Sequence, residues 1–393
     1  IPKKFENLKN IQKMFAYCYF DSDRTDEVFR KITSRPDINY SRYFFFHVNY
    51  LISSNKKEKA KKILKSSLDL HPENLILNQL EVDLNQKKIF NNQFDCKDTR
   101  HVVAEILYIV ANALTAQQNY STSNFYLNLA TYLNPNFISF EALRAKNFFT
   151  MNKYNEAKKI YKEVQKYGQV YRWYASKETA SILIKQEKKK EAIIYVKRIF
   201  KKIKNPTTYE MYDYAEFLKN NKIYKEAIEY FSKVMNTIDK THDLYGPVLD
   251  GRGVAYERSD QWNKAEADLL NSLSVSPDDA YVINYLAYTW IEKGINIDKS
   301  LNMLKKANAL RPNDGYIIDS LGWALFKLKN YKEAKKYLQQ AVRFMASDPV
   351  INDHYADSLW MNNNSLQARY YWNYVLTLEK TEEKLKKKIK QKL

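Results

Sequence analysis

The residue types that usually carry chemistry are few in this sequence and are not spaced for it. The five histidines, His47, His71, His101, His242 and His354, form no H-E-x-x-H motif and no paired-ligand spacing, so no metal site is expected. Gly251-Arg252-Gly253 opens like a dinucleotide fingerprint, but the third glycine is missing and no strand signal precedes it. No G-x-S-x-G nucleophile turn and no G-x-x-x-x-G-K-[ST] phosphate loop occurs. Cys18 and Cys96 are the two cysteines; they stand far apart, have no metal or redox spacing, and leave the compartment open. The reading is non-enzymatic, with no catalytic residues, no cofactor and no metal. What recurs instead are Asp, Tyr and Trp at regular intervals in the second half, residue types suited to recognition.

The elements that position them are helical. The 393 residues hold 7 Gly and 9 Pro with 45% hydrophobic and 28% charged residues. Sandwiches and nucleotide-binding α/β folds need more glycine for their turns and phosphate loops, so the expectation is an all-α chain. The 64 Lys and Arg exceed the 45 Asp and Glu, giving a formal charge of +19 and attraction to polyanions at low salt. Lys, Asn, Ile and the 32 Tyr are abundant together, as a nucleotide-biased genome produces without selecting a nucleic-acid site. The most apolar run, Val102 to Ala116, is shorter than the roughly 18 residues of a membrane span and carries Glu105. The sequence begins at Ile1 and not at Met, so a signal peptide or lipid anchor upstream is outside what it can reveal.

A unit of about 34 residues repeats along the chain. Gly322 aligns with Ala356, Ala334 with Ala368, Leu338 with Trp372 and Ala341 with Val375. Gly253, Ala265, Leu269 and Pro277 fill the same places, as do Ala287, Ser300, Leu304, Ala307 and Pro312 after a one-residue slip near Gly294. Further units follow upstream at Ala215 and Ala227, Ala180 and Ala192, Ala145 and Ala157, Ala111 and Ser123, and Ala60 with Leu64 and Pro72. This spacing resembles the tetratricopeptide repeat (TPR). Small residues let the two helices of a unit cross closely, a large apolar residue fills the gap to the next unit, and Pro ends the second helix. Nine units are placed at about 41, 104, 138, 173, 208, 246, 280, 315 and 349, with Phe5 to Ile38 as a degenerate one.

The expected fold is a right-handed superhelical α-solenoid of stacked helix-turn-helix units. Residues 1–103 are degenerate TPR-like helices with one clear unit at 41–74, residues 104–241 are central units, 246–382 regular C-terminal units, and 383–393 a Lys-rich capping tail. Leu75 to Arg100, with the polar run Asn91, Asn92 and Gln93, reads as one helix and a loop; Thr237 to Tyr245 reads as a longer connection. Both are candidate joints. The Lys-rich end, Leu378 to Leu393, reads as a solvated cap over the final unit.

In such stacks the first helix of each unit lines the inner groove with its second, fifth, ninth and twelfth residues. These are Asp250, Val254 and Glu257; Tyr281, Asn284, Tyr288 and Ile291; Tyr316, Asp319, Trp323 and Phe326; and Val350, Asp353, Asp357 and Trp360. No Lys or Arg is among them, which makes an acidic and aromatic groove for a protein or peptide partner with basic or apolar character. TPR domains that hold an acidic chaperone tail carry a clamp of Lys and Asn at such places; Asp here argues against that ligand. Polyanion binding, to RNA or an acidic lipid surface, by the Lys-rich outer helices is a second reading, and a regulatory region of a larger protein a third. Partner identity, pathway and oligomeric state are not legible.

The blocks Leu249 to Glu257, Asn284 to Trp290, Asp314 to Phe326 and Asp348 to Trp360 resemble the C-terminal half of long TPR proteins from alphaproteobacteria. That resemblance implies an exported protein of the bacterial envelope or periplasm, with no assigned reaction.

Overall fold

The computed structural model describes residues 6–20, 24–33, 41–86 and 93–393, and among them every regular element is helical, with no strand. Phe5 and residues 21–23 and 34–38 of the first degenerate unit, and Asn91 and Asn92 of the polar run, lie outside the described residues. That unit is represented by a helical pair, α1 (Glu6–Tyr19) and α2 (Thr25–Thr33). Nine further pairs follow: α3 (Ser41–Ser53) with α4 (Lys57–Leu70), α6 (Thr99–Ala116) with α7 (Tyr120–Leu133), α8 (Ser139–Thr150) with α9 (Tyr154–Val164), α10 (Gln169–Lys185) with α11 (Lys189–Phe200), α12 (Thr208–Asn220) with α13 (Tyr224–Met235), α14 (Tyr245–Glu257) with α15 (Trp262–Val275), α16 (Ala280–Lys293) with α17 (Ile297–Leu310), α18 (Gly315–Lys327) with α19 (Tyr331–Phe344), and α20 (Pro349–Met361) with α21 (Ser365–Thr377). α5 (Leu75–Asn85) is unpaired, and α22 (Glu383–Lys390) closes the series. α6 and α10 start ahead of the repeat register, at Thr99 and Gln169. Asp98 accepts from the Arg100 amide to begin α6 one turn early, and Gly168, at φ 132°, turns the chain into α10.

The turns inside the nine pairs are copies of one another. A residue in the left-handed region follows the first helix: Asn55, Gln118, Asn152, Glu187, Lys222, Asp260, Gly294, Lys329 and Asn363, with φ between 58° and 70°. The next amide then reaches back five residues, as in Lys56 N to Leu51 O at 2.8 Å, Asn119 N to Leu114 O at 2.9 Å and Asn364 N to Leu359 O at 2.9 Å. These 6→1 bonds satisfy helix-end carbonyls and reverse the chain in two residues. The α16–α17 turn has one residue more, Asn296, which explains the slip in the repeat register there.

The small residues of the repeat sit where helices cross. Ala111, Ala145, Ala180, Ala215 and Ala287 are fully buried or nearly so, and so are Ala157, Ala192, Ala227, Ala265 and Ala334 in the facing helices. At Gly322 a Cβ would lie 2.7 Å from Leu338 Cγ, so a larger residue would push α18 from α19. Within the second unit each second helix also packs on the first helix of the following pair: α13 on α14, α15 on α16, α17 on α18 and α19 on α20.

The chain divides into two compact units, Ile1–Tyr209 and Glu210–Leu393, so the division falls near the start of α12. In the first unit, Phe15, Phe46, Phe94 and Phe137 form one aromatic core with Phe140. Arg42 of α3 enters it, forked onto Glu105 of α6 at 2.7–3.0 Å and lying 3.9 Å from the Tyr108 ring centre and 4.2 Å from that of Phe137. Cys18 of α1 and Cys96, ahead of α6, form a disulfide, with Cα atoms 5.9 Å apart. The sequence spacing showed no such pairing; it arises because Phe94 and Cys96 lie against Phe15 and Cys18 of α1. Among the described residues no helix is long and apolar enough to cross a membrane.

Candidate functional site

The site is built within the second unit by α14, α16, α18 and α20. Three of these helices start on the same device: Asp279, Asp314 and Asp348 each accept hydrogen bonds from two amides of the first turn, at 2.9–3.3 Å. With the start fixed, the second helical residue projects outward each time, and Tyr281, Tyr316 and Val350 are 57%, 54% and 47% exposed. Trp360, at the far end of α20, is 42% exposed. These four are the expected groove residues that the structure leaves open.

The other expected residues are engaged within the unit. Asp250 is half-buried, and burial pushes its carboxyl up to about 6, with Asp279 and Glu216 adding to the rise and Lys219 opposing it. Glu257 accepts from the Tyr285 hydroxyl at 2.8 Å. Asn284 is half-buried, and its Oδ1 is enclosed without a hydrogen-bond donor. Burial holds the Tyr288 hydroxyl above its ordinary range, helped by Glu292 and Asp319. Trp323 is buried; its Nε1 donates to Glu292 at 2.7 Å, and its ring stacks on Phe326 at 4.8 Å and on His354 at 3.9 Å.

The three aspartates at the C-terminal end are partnered. Asp319 faces His354 Nδ1 at 3.0–3.1 Å. Burial opposes protonation of that imidazole, but the charges of Asp319, Asp353 and Asp357 outweigh it and hold the His354 pKa above its ordinary value. Asp353 is 1% exposed and accepts from Trp372 Nε1 at 3.1 Å, from Lys392 at 2.6 Å and from Lys388 at 3.2 Å. Lys392 also contacts Asp357, whose carboxyl is pushed up by burial and by Asp353 and drawn back by Lys392 and Lys388. A carboxylate taken out of water needs such a counter-charge.

The expectation that the groove end is acidic and free of Lys is therefore corrected: the cations come from α22 and the residues after it, which the sequence reading assigned to solvent. Lys392 is 19% exposed and Ile389 is fully buried. His354, Glu292 and Trp372 were also missed. Asp319 and His354 occupy the fifth place of one unit and the sixth of the next, and the register alone could have brought them together. A cavity of about 260 Å³ remains beside these groups, lined by Phe326, Asp357, Trp360, Met361, Trp372 and Lys392. Among the described residues no cluster of His, Cys, Asp and Glu is arranged to hold a metal ion.

The tetratricopeptide repeat family model matches residues 318–344, which cover most of α18 and all of α19. A TPR repeat-containing protein of Pseudomonas aeruginosa is 27% identical over 129 residues, 33% of this chain; the match spans only 21% of that relative's length. Among solved structures, MamA from Desulfovibrio magneticus RS-1 is 14% identical with a TM-score of 0.38, covering 45% of this chain and 97% of its own. The Pseudomonas aeruginosa pilF protein is 17% identical with a TM-score of 0.39, covering 45% of this chain and 81% of its own. Nine helical pairs in the repeat register, closed by one recurrent turn and matched by the family model at α18 and α19, give this chain the architecture of tetratricopeptide repeats.

Proposed function

We propose that the chain is a non-enzymatic scaffold that holds a protein partner against the groove of its second unit. The observation that carries this reading is the row Tyr281, Tyr316 and Val350, large side chains left open at the second place of successive first helices, with Trp360 open at the far end of α20. Repeat arrays present extended binding surfaces of this kind, and rigid aromatic side chains supply contact area at low entropic cost. Asn284 Oδ1, enclosed without a donor, adds an acceptor that a partner backbone amide could satisfy. Asp353 and Asp357, which hold Lys388 and Lys392 of this chain, favour a partner with basic residues among apolar ones.

The Cys18–Cys96 disulfide supports a place in an oxidising compartment, and with the envelope resemblance this favours the bacterial periplasm or the envelope periphery.

The test is capture from native extract at physiological salt by the wild type and by a Tyr281→Ser/Tyr316→Ser/Trp360→Ser variant, all three positions being exposed. A discrete protein retained by the first and lost by the second is expected. Nucleic acid or lipid retained equally by both would transfer the function to the basic outer surface. Alkylation of Cys18 and Cys96 in intact cells should find them blocked as a disulfide; free thiols there would remove the argument for an oxidising compartment.

A further inference from the structure

The C-terminal helix resembles a ligand more than a lid. Repeat arrays need a closing element with a polar outer face, and a plain cap would bury apolar residues and turn its lysines outward. α22 does the first with a single fully buried residue, Ile389, where α21 buries Ala368, Trp372 and Val375. Two of its neighbouring lysines turn inward: Lys388 reaches Asp353 at 3.2 Å, and Lys392, one helical turn later, bridges Asp353 and Asp357 with its ammonium 5.3 Å from the Trp372 ring centre. Asp353 and Asp357 are the fifth and ninth residues of α20, the places from which repeat helices address a bound peptide. At its other end α22 begins beside Glu382, which lies 3.8 Å from Lys222 in the α12–α13 turn. The same short segment thus touches the last pair of the unit and approaches its first.

We propose that α22 is a resident occupant of the groove, that the pocket around Asp353 and Asp357 is a receptor for a basic amphipathic helix, and that a partner enters by displacing α22. This rests on the scaffold reading of the same groove and names the partner's chemistry: two lysines one turn apart flanking an apolar anchor, as Lys388, Ile389 and Lys392 are arranged. The segment is suited to exchange. Lys388 remains 51% exposed, and the ion pair between Glu382 and Lys222 is open to water on both sides, so little holds the helix besides Ile389, the half-buried Leu385 and the lysine pair. Thr381, by contrast, is buried and its hydroxyl donates to Val375 O at 2.6 Å, which fixes the point after which α22 would swing away. The 260 Å³ cavity beside Trp360 and Met361 gives an incoming helix room for a larger anchor than isoleucine.

The experiment uses the full chain with α22 released by Lys388→Ala/Ile389→Asp/Lys392→Ala, and a labelled peptide of residues 379–393 as the probe. Fluorescence anisotropy at physiological salt should show saturable binding to the released chain, at least tenfold weaker binding to the wild type, and at least a tenfold loss when Asp353→Asn/Asp357→Asn is added to the released chain. A scrambled peptide of the same composition should not bind. Circular dichroism confirms that the released chain keeps its helices; should it not, Lys388→Ala/Lys392→Ala alone is used, with faster hydrogen exchange of α22 amides as the readout. A folded, released chain that ignores the peptide, or binds the scrambled one equally, overturns the proposal. Unchanged α22 exchange in the double variant overturns it as well. Either result leaves the scaffold reading standing if Tyr281, Tyr316 and Trp360 still govern partner capture.

Discussion

Replacing Glu105 by Gln would test whether the first unit depends on the ion pair inside its aromatic core. The Glu105 side chain is fully buried, the Arg42 side chain is 15% exposed, and the guanidinium makes three contacts at 2.7–3.0 Å while lying against Tyr108 and Phe137. Burial pushes the Glu105 carboxyl up, and the charge and hydrogen bonds of Arg42 pull it back. A guanidinium does not release its proton in a protein, so Glu105→Gln leaves a cation among aromatic rings with a neutral amide for company. Stranding one member of a buried pair costs about 3–5 kcal/mol. In a unit of this size each kcal/mol lowers Tm by about 2–4 °C, so the transition of the first unit should fall by roughly 6–20 °C. Scanning calorimetry measures it. Glu163→Gln, which breaks an exposed pair with Lys166, is the control and should cost about 0–1 kcal/mol. The double variant Arg42→Met/Glu105→Leu should recover most of the loss, because it removes both charges. A loss below about 1 kcal/mol for Glu105→Gln, the range of an exposed pair, would refute the reasoning.

Three further outcomes are expected. Gly322→Val drives a side chain into Leu338 at the α18–α19 crossing and should destabilise the second unit by about 1–3 kcal/mol, read by urea denaturation; an unchanged midpoint would show that the crossing can yield. Asp250 has its folded pKa raised from 3.8 to about 6, so the cost of ionising it in place is absent below about pH 4 and complete above about pH 6. Asp250→Asn should accordingly stabilise by up to about 3 kcal/mol at pH 7.5 and change little at pH 4; equal effects at both values would contradict the assignment. Removing the disulfide with Cys18→Ala/Cys96→Ala opens a loop of 78 residues and should lower the stability of the first unit by about 2–5 kcal/mol, matched by wild type in strong reductant. Insensitivity to reductant would mean the bond adds nothing.

The repeat itself was legible in the sequence because its constraint is local. Ala334, Leu338 and Ala341 recur at fixed spacing since a helix crossing tolerates only small residues at some places and requires bulk at another. The row Tyr281, Tyr316, Val350 and Trp360 followed from the same register. The disulfide did not, because Cys18 lies on the degenerate α1 and Cys96 in the non-helical stretch before α6, neither of them at a place the repeat fixes. The inward lysines escaped for a different reason: a basic run on a short helix looks alike whether it faces water or a carboxylate. Burial of Ile389 fixes the rotation of α22, and that depends on contacts with Trp372 and its neighbours, remote in pattern from the lysines. The aspartates were found in sequence and their partners were not, so a groove expected to wait empty proved to be already neutralised.

The nine turns between paired helices carry a last consequence. All nine hold a residue other than glycine in the left-handed region, Asn296 beside Gly294 in the α16–α17 turn and Glu187 and Lys222 among the rest, where a Cβ costs about 1 kcal/mol or more. Each joint is therefore slightly under tension, and in the second unit each is largely insulated from the rest because a pair packs mainly on its neighbours. Stiffness along the array becomes a property that can be set joint by joint: one glycine relaxes one hinge and leaves the pitch of all the others alone. A molecule assembled this way can adjust its grip at one place on a long partner without retuning the whole.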